Sequence, residues 1–240
     1  MIDSRVIPTQ AETDLATFTI LSGGQPISGE IGIKSIFVVK SVNKIPTARI
    51  DIIDGSVARE DFEMSSGNLF IPGNEIEIKA GYHSSESTIF KGIITKHSIR
   101  SKKDKPSLLN IELKDKSIKL TVGRKNKYFE EVKDSEIIEE IINNYGLTPD
   151  VEATGVTHKE MVQHYVTDWD FLVSRAEVNG KLVFADDGKI TVKKPDLSGD
   201  PVLNLAYGHN VYDFEAGMDA RDQFAAVKSS AWDFTNQEIV

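Results

Sequence analysis

Residues 161–184, MVQHYVTDWDFLVSRAEVNGKLVF, decide the fold of this chain. Their centre predicts an amphipathic helix beginning at Thr167 or Asp168. Four apolar residues there recur at helical spacing, namely Trp169, Leu172, Val173 and Ala176. Gly180 follows Asn179 and predicts the end of that helix, since glycine readily adopts the left-handed conformation that closes one. The flanking residues 161–166 and 181–185 are typical of strands.

A small α+β module is predicted around this stretch, over residues 122–195. Upstream, apolar residues at helical spacing predict a helix that Asp134 caps and Gly146 ends. Downstream, Asp186-Asp187-Gly188 separates two strand-like segments, which is a hairpin signal. The module therefore has the order helix, strand, helix, hairpin.

Strand signals dominate on both sides of the module and make the fold class α+β, mostly β. We predict a first β-barrel or sandwich over residues 1–121, with a long loop or short helical turn over 56–70. Its strands are residues 16–21, 31–40, 47–53, 75–82, 88–100 and 107–115. Further strands over 202–207, 211–214 and 225–234 predict the start of a second barrel over residues 196–240. We expect that barrel to be incomplete, either because the chain is a fragment or because its last domain is truncated.

Composition excludes several classes of function. The 240 residues include no cysteine, so disulfides, cysteine-ligated zinc, iron–sulfur clusters and thiol nucleophiles are all excluded. The N-terminus has no secretory signal pattern, and no apolar run approaches the roughly 20 residues of a membrane span. We therefore expect a protein that is cytoplasmic during assembly, is not inserted in a membrane, and leaves the cell by another route if at all.

Charge is unevenly distributed along the chain. Residues 91–127 carry a net charge of +9 and the rest of the chain −18, which together give the overall −9. Three lysines of this basic stretch, Lys102, Lys103 and Lys105, surround Pro106 in a predicted hairpin loop. A solvated loop, a protein-binding surface and a nucleic-acid site are the alternatives. Nucleic acid is disfavoured because no aromatic residue is interleaved with the cations for base stacking.

Candidate catalytic groups are few. Asp168 and Asp170 suggest a carboxylate pair, but residues two apart on a helix diverge, and a helix cap with an acidic first turn is the simpler interpretation. The chain has no nucleophile elbow, Walker loop or dinucleotide fingerprint. We predict no cofactor and no metal site, since none of the five histidines forms a helical zinc pair: His83, His97, His158, His164 and His209.

Three stretches resemble one known family. Residues 161–184 are similar to the segment around the Asp-x-x-Phe-x-x-Arg-x-x-Glu core of the VgrG family, which includes the Rhs-associated Vgr proteins and the related hub proteins of phage tails and extracellular injection systems. The residues that carry the similarity are Asp168, Trp169, Phe171, Arg175, Glu177 and Gly180, with Arg175 four residues after Phe171 and Glu177 two after Arg175. Residues 71–78 and 89–94, including Gly92, resemble the first hub barrel, and residues 134–147 resemble the helix that opens the inserted module. The resemblance spans roughly residues 10–235.

The resemblance implies two tube-like β-barrels with an inserted module and a structural role for the motif residues. It also implies a homotrimer whose six barrels form a pseudo-sixfold ring. That ring docks on a hexameric tail tube of the Hcp kind, contacts baseplate proteins, and supports a needle that carries a PAAR-type tip or effector cargo. Family members continue into the needle, and no needle repeat is visible here.

We therefore expect a structural spike component, assembled in the cytoplasm and delivered by the injection machine, with no catalysis. The basic surface of Lys102, Lys103 and Lys105 is expected to face a neighbouring subunit or the tube. Two alternatives are a peptidoglycan-acting hydrolase and a nucleic-acid-binding barrel. The sequence leaves open whether the machine is a type VI apparatus, a phage tail or an extracellular particle.

Overall fold

A computed structural model of the chain describes residues 15–56, 60–82, 85–103, 105–201, 203–211, 213–220, 224–234 and 236–240. His83 and the beginning of the first predicted barrel, residues 1–14, lie outside the described residues. The chain divides into two compact units, one of which is residues 11–197, while the described part of the other is residues 198–240. The described residues contain no helix that is both long and apolar enough to cross a membrane.

One antiparallel sheet of seven strands occupies the first half of the larger unit. Its spatial order is β2-β1-β5-β6-β7-β4-β3. A single helical turn, α1 (Glu63–Ser66), lies between β4 and β5, within the stretch that was predicted to be irregular. The strands are β1 (Thr17–Ser22), β2 (Gln25–Pro26), β3 (Ile33–Val39), β4 (Thr47–Ile53), β5 (Glu75–Tyr82), β6 (Ser85–Lys102) and β7 (Lys105–Lys114).

Alternation along these strands builds the core of the sheet. In β5, Ile76 and Ile78 are fully buried while Glu75 is exposed, because successive side chains of a strand point to opposite faces. The same rule buries Ile50 and Ile52 of β4 and Ile111 of β7. This confirms the predicted strands, and β4 and β5 have the predicted bounds.

The module follows β7 and has a core of its own, which the two helices share with strands on either side. Two of its strands form an antiparallel ribbon, β8 with β10, and the other three form a sheet of order β11-β12-β9 in which β12 and β9 are parallel. The elements are a 3₁₀ helix (Lys116–Thr121), β8 (Lys125–Lys133), α2 (Asp134–Asn143), β9 (Thr148–Val151), β10 (Thr157–Val166), α3 (Asp168–Val178), β11 (Leu182–Asp186) and β12 (Lys189–Lys193).

The fold is thus α+β and mostly β, as predicted. Helices α2 and α3 and the hairpin β11–β12 occur in the predicted order. Both residues of the hairpin turn, Asp187 (φ 50°) and Gly188 (φ 86°), have positive φ, which is the turn geometry that matches the twist of paired strands. The domain limits at 121 and 195 stay a prediction.

The smaller unit has much less regular structure than predicted. Its described residues contain only two short paired strands, β13 (Trp232–Asp233) and β14 (Glu238–Ile239), and a bridge between Tyr207 and Val211. The strands predicted over 202–207, 211–214 and most of 225–234 are therefore wrong wherever the structure describes them. A strand needs a hydrogen-bonded neighbour as well as β-forming residues, and among the described residues these segments pair only at the Tyr207–Val211 bridge and at and beside β13.

Candidate functional site

Asp168 is the centre of the first buried polar network in the module. Its carboxylate is only 3% exposed. Oδ2 accepts hydrogen bonds from Lys125 Nζ at 2.6 Å and from the Tyr145 hydroxyl at 2.6 Å, and Oδ1 accepts one from Gln163 Nε2 at 2.8 Å. This one side chain therefore connects α3 to β8, to the end of α2 and to β10.

Burial by itself would raise the pKa of Asp168, but the hydrogen bonds from Lys125, Tyr145 and Gln163 outweigh it and hold the pKa below its usual value. The prediction that Asp168 caps α3 is wrong. Thr167 is the cap, since its hydroxyl oxygen accepts a hydrogen bond from the Asp170 backbone N–H at 3.1 Å. Asp168 is free to turn inward because the threonine one residue earlier satisfies the helix end.

Arg175 lies at the centre of a second buried network, about two helical turns further along the same face of α3. Its Nε and a terminal nitrogen donate to the two carboxylate oxygens of Asp134 at 2.6 and 2.9 Å, a bidentate pairing. Asp134 Oδ2 also accepts a hydrogen bond from Asn179 Nδ2 at 2.9 Å and lies 3.0 Å from His158 Nε2. Asp134 is the first residue of α2, so the network fixes the start of α2 against α3.

The pKa of Asp134 reflects this environment. Burial would raise it, but hydrogen bonds from Arg175, His158 and Asn179 lower it to about 2. The prediction that Asp134 caps α2 is wrong by one residue, because the cap position is Lys133. Glu136 supplies the capping interaction instead, accepting a hydrogen bond from the Lys133 backbone N–H at 2.8 Å.

We expect acid to destabilise the module through Asp134. A carboxyl whose folded-state pKa lies below its unfolded value contributes stability above the unfolded pKa and loses it as pH falls through the folded pKa. From near pH 4 to near pH 2, Asp134 should therefore lose about 2 kcal/mol of stabilisation. Chemical denaturation of wild type and Asp134→Asn at several pH values measures this.

The pH dependence should be flatter in Asp134→Asn, although the variant is less stable at neutral pH. If the free energy of unfolding fell equally steeply in the two proteins between pH 4 and pH 2, the assignment of the acid effect to Asp134 would be contradicted. Asp170→Asn is the matched control, because the Asp170 carboxylate is exposed. The free energy of unfolding of this variant should depend on pH as that of wild type does.

Glu177 joins the module to the sheet. Its carboxylate accepts a hydrogen bond from Asn43 Nδ2 at 3.0 Å, in the turn between β3 and β4. Asn43 also exchanges two hydrogen bonds with Val183 of β11: its backbone N–H donates to the Val183 carbonyl at 2.8 Å, and its side-chain oxygen accepts from the Val183 N–H at 2.9 Å. One turn of the sheet is thereby bound to both α3 and β11.

The turn of the hairpin β11–β12 makes a second junction. Asp187 accepts a hydrogen bond from the Lys91 backbone N–H at 2.8 Å, and Lys40 pairs with the adjacent Asp186. Asp115 bridges the same region, because Oδ1 accepts from the Ser117 N–H at 2.8 Å and Oδ2 from the Gly188 N–H at 3.1 Å. Burial raises the pKa of Asp187 even though Lys40 opposes the shift.

The remaining motif residues shape the backbone and the core. Trp169 and Phe171 are buried, and Phe171 stacks on Phe129 with ring centres 6.1 Å apart. Gly180 has φ +64° and ends α3 through hydrogen bonds from its own N–H and from the next N–H back into the helix. Gly92 lies in β6 where a β-carbon would stand 2.3 Å from the Lys114 carbonyl oxygen.

The predicted partner-facing lysines lie together at one end of the sheet. Lys102, Lys103 and Lys105 are exposed around the turn between β6 and β7. Lys34 and Arg100 lie nearby and share with Lys102 and Lys105 the wall of an open groove of about 330 Å³, whose apolar lining is Ile53, Pro106 and Leu108. The structure brings these lysines together but places them apart from both buried networks.

Sequence reasoning identified Asp168, Arg175 and Glu177 but missed most of their partners. Lys125, Gln163 and Asn179 were not singled out, and neither was Asn43. A local signal was the asparagine itself at position 43, since asparagine adopts positive φ more readily than most residues, and Asn43 has φ 57°. The described residues hold no group of three or more potential metal ligands.

Tail and secretion proteins are among the solved structures that share this fold. The tail protein of Neisseria meningitidis is 14% identical and superimposes with a TM-score of 0.64 over 87% of this chain. The 43 kDa tail protein of prophage MuSo2 from Shewanella oneidensis is 13% identical, with a TM-score of 0.55 over 75% of this chain. At these identities the similarity defines the class of fold: this chain has the fold of phage tail proteins.

A type VI secretion component of Escherichia coli, c3393, is also similar, with 13% identity and a TM-score of 0.51 over 72% of this chain. Its description notes structural similarity to the T4 bacteriophage tail proteins gp27 and gp5. This chain spans 61%, 53% and 47% of the lengths of the Neisseria, Shewanella and Escherichia structures.

The family follows from the sequence itself. The model of the Alg8 N-terminal domain matches residues 12–240, and the chain belongs to that family. No curated protein sequence gave a match.

Proposed function

We propose that this chain is the hub region of the spike of a contractile injection machine. Three copies would form a pseudo-sixfold ring that docks on a hexameric tail tube of the Hcp kind and supports the piercing needle. The observation that carries the proposal is the fold shared with the Neisseria tail protein over 87% of this chain. The similarity to a type VI secretion component supports it.

The internal construction of the module supports a mechanical role. Asp168 and Arg175, the charged residues of the motif, are engaged in buried contacts between elements of the module. Glu177 engages the turn between β3 and β4 instead. Such contacts rigidify a structure that transmits force, and the proposal assigns no catalytic step to this region. Assembly in the cytoplasm, baseplate contacts, a PAAR-type tip or cargo, and delivery by the machine all belong to the proposal.

The proposal is tested by mixing the purified chain with the hexameric tail-tube protein of the same organism and imaging the mixture by electron microscopy. We expect threefold particles seated at tube ends, and a solution mass three times the 26.6 kDa of one chain. Tube ends that remain bare at saturating chain concentration would contradict the proposed function.

A further inference from the structure

Among the described residues, two oppositely charged surfaces lack charge partners, and the first is the end of the β6–β7 hairpin. The hairpin tip, as we call it, consists of Arg100, Lys102, Lys103 and Lys105. All four side chains are exposed, and among the described residues none has a carboxylate partner. Like charges crowded at one turn repel each other unless counter-charges approach.

Beside the hairpin tip lies an apolar surface. Ile53 is 48% exposed, and with Pro106 and Leu108 it lines the groove of about 330 Å³ whose other walls are cations. An apolar floor with a basic rim suits a partner surface in which an exposed aromatic or aliphatic side chain is flanked by carboxylates.

The second surface is the outer face of the ribbon β8–β10. The ribbon face, as we call it, consists of Tyr128, Glu130, Glu160 and Val162. Tyr128 is directly opposite Val162 and Glu130 directly opposite Glu160, so the four side chains share one side of the ribbon. Phe129 and Met161 alternate with them and face the module core. Tyr128 is 76% exposed and Val162 43%.

The charge arrangement of the ribbon face is unfavourable in one isolated copy. Two glutamates directly opposite each other in a ladder repel. Within the described part of the chain, neither glutamate has a cation partner, and no hydrogen bond or ion pair joins the ribbon face to the hairpin tip. Each surface therefore lacks, in its own copy, the charges that the other surface carries.

We propose that the hairpin tip of one copy docks on the ribbon face of the next copy. The lysines pair with Glu130 and Glu160, and Tyr128 packs into the apolar groove as the aromatic anchor. Because the two surfaces differ, the contact is head-to-tail, and repetition of it closes a ring when the rotation between copies permits. The inference rests on the proposed function in one respect, the association of copies into a ring.

Charge reversal tests this contact in the full 240-residue chain. One variant carries Lys102→Glu, Lys103→Glu and Lys105→Glu, and the other carries Glu130→Lys and Glu160→Lys. Wild type should associate with rising concentration in sedimentation velocity, and less so as salt is raised. Each variant alone should associate at least roughly tenfold more weakly, because like charges then face each other.

Restoration is the decisive result. An equimolar mixture of the two variants should associate again into mixed dimers and open chains, since each then offers the surface that complements the other, whereas two alternating variants cannot close a ring of three. All five substitutions in one chain should also restore association. The control variant Lys44→Glu, Lys119→Glu, Lys228→Glu makes the same charge change at exposed lysines elsewhere and should associate like wild type.

The proposal is overturned if wild type stays monomeric at the highest concentration, or if neither the mixture nor the fivefold variant regains association. The tube-docking experiment separates this failure from that of the proposed function. Copies that still form rings and dock on tubes when either surface alone is reversed would remove this contact and leave the hub function. Association that charge reversal weakens and complementary reversal restores, without tube docking, would support this contact and contradict the hub function.

Discussion

Replacing Arg175 by alanine is expected to lower the free energy of unfolding by about 3–5 kcal/mol, because it leaves the buried Asp134 carboxylate without its bidentate partner. Asp134 is only 2% exposed, so water cannot replace the lost guanidinium without opening the module. Chemical denaturation at neutral pH, followed by circular dichroism, measures the loss. Arg124→Ala is the matched control, since Arg124 is exposed and its guanidinium lies over the face of Tyr165.

A double-mutant cycle separates the ion pair from general packing. If Arg175 and Asp134 act as a unit, the double variant Arg175→Ala, Asp134→Ala should lose clearly less free energy of unfolding than the two single variants lose in sum. The difference in free energy of unfolding between wild type and Arg175→Ala should also become smaller as pH falls below about 4, because protonation of Asp134 removes the unpaired charge in the variant. Additive effects with no pH dependence would rule out the buried pair as the cause.

Gly92→Val is expected to destabilise the sheet by about 3 kcal/mol, since an overpacked strand must move its neighbour. The added β-carbon would stand 2.3 Å from the Lys114 carbonyl oxygen and 2.8 Å from a ring carbon of Phe90. A backbone atom cannot yield as a flexible side chain can. The strands β6 and β7 would therefore have to separate at the point where the chain leaves the sheet for the module.

Gly29→Val serves as the comparison for Gly92. No atom lies within 4 Å of a β-carbon built at Gly29, and its φ is not in the left-handed region, so its effect should stay within about 0.5 kcal/mol. Thermal unfolding of both variants against wild type distinguishes them. Similar melting temperatures for the two variants would show that Gly92 is not required by close approach.

Local pattern accounts for the parts of the fold that the sequence predicted well. Alternation in β5 and helical spacing in α3 are properties of consecutive residues, so they can be read without knowing what lies opposite. Gly180 was identified for the same reason, because the end of a helix is closed by hydrogen bonds to its own last turn.

The strand β8 was missed because its sequence, KNKYFEEVK, is mostly charged and alternates poorly. It is a strand because β10 pairs with it, and Phe129 is the one residue that it buries. Its alternation is also broken at Glu131, which has φ +47°. Tertiary pairing overrode weak propensity there, whereas the strand predicted over residues 203–206 has no pairing partner among the described residues.

The polar networks could not have been derived from spacing. Asp134 and Arg175 are 41 residues apart in sequence, and Asn43 and Glu177 are 134 apart. Nothing in the neighbourhood of either residue specifies a partner at such separation. The resemblance to a known family marked Arg175 and Glu177 as structural, but only the fold shows that one fixes α2 and the other fixes a turn of the sheet.

Asp115 holds two backbone groups that are synthesised far apart in time. The N–H of Ser117 follows it by two residues, whereas the N–H of Gly188 follows it by 73. The cap on the 3₁₀ helix can form as soon as that turn leaves the ribosome. The clamp on the hairpin turn cannot exist until Gly188 has emerged. One carboxylate therefore makes one contact that is local in sequence and one that requires both ends of residues 115–188 to have been synthesised.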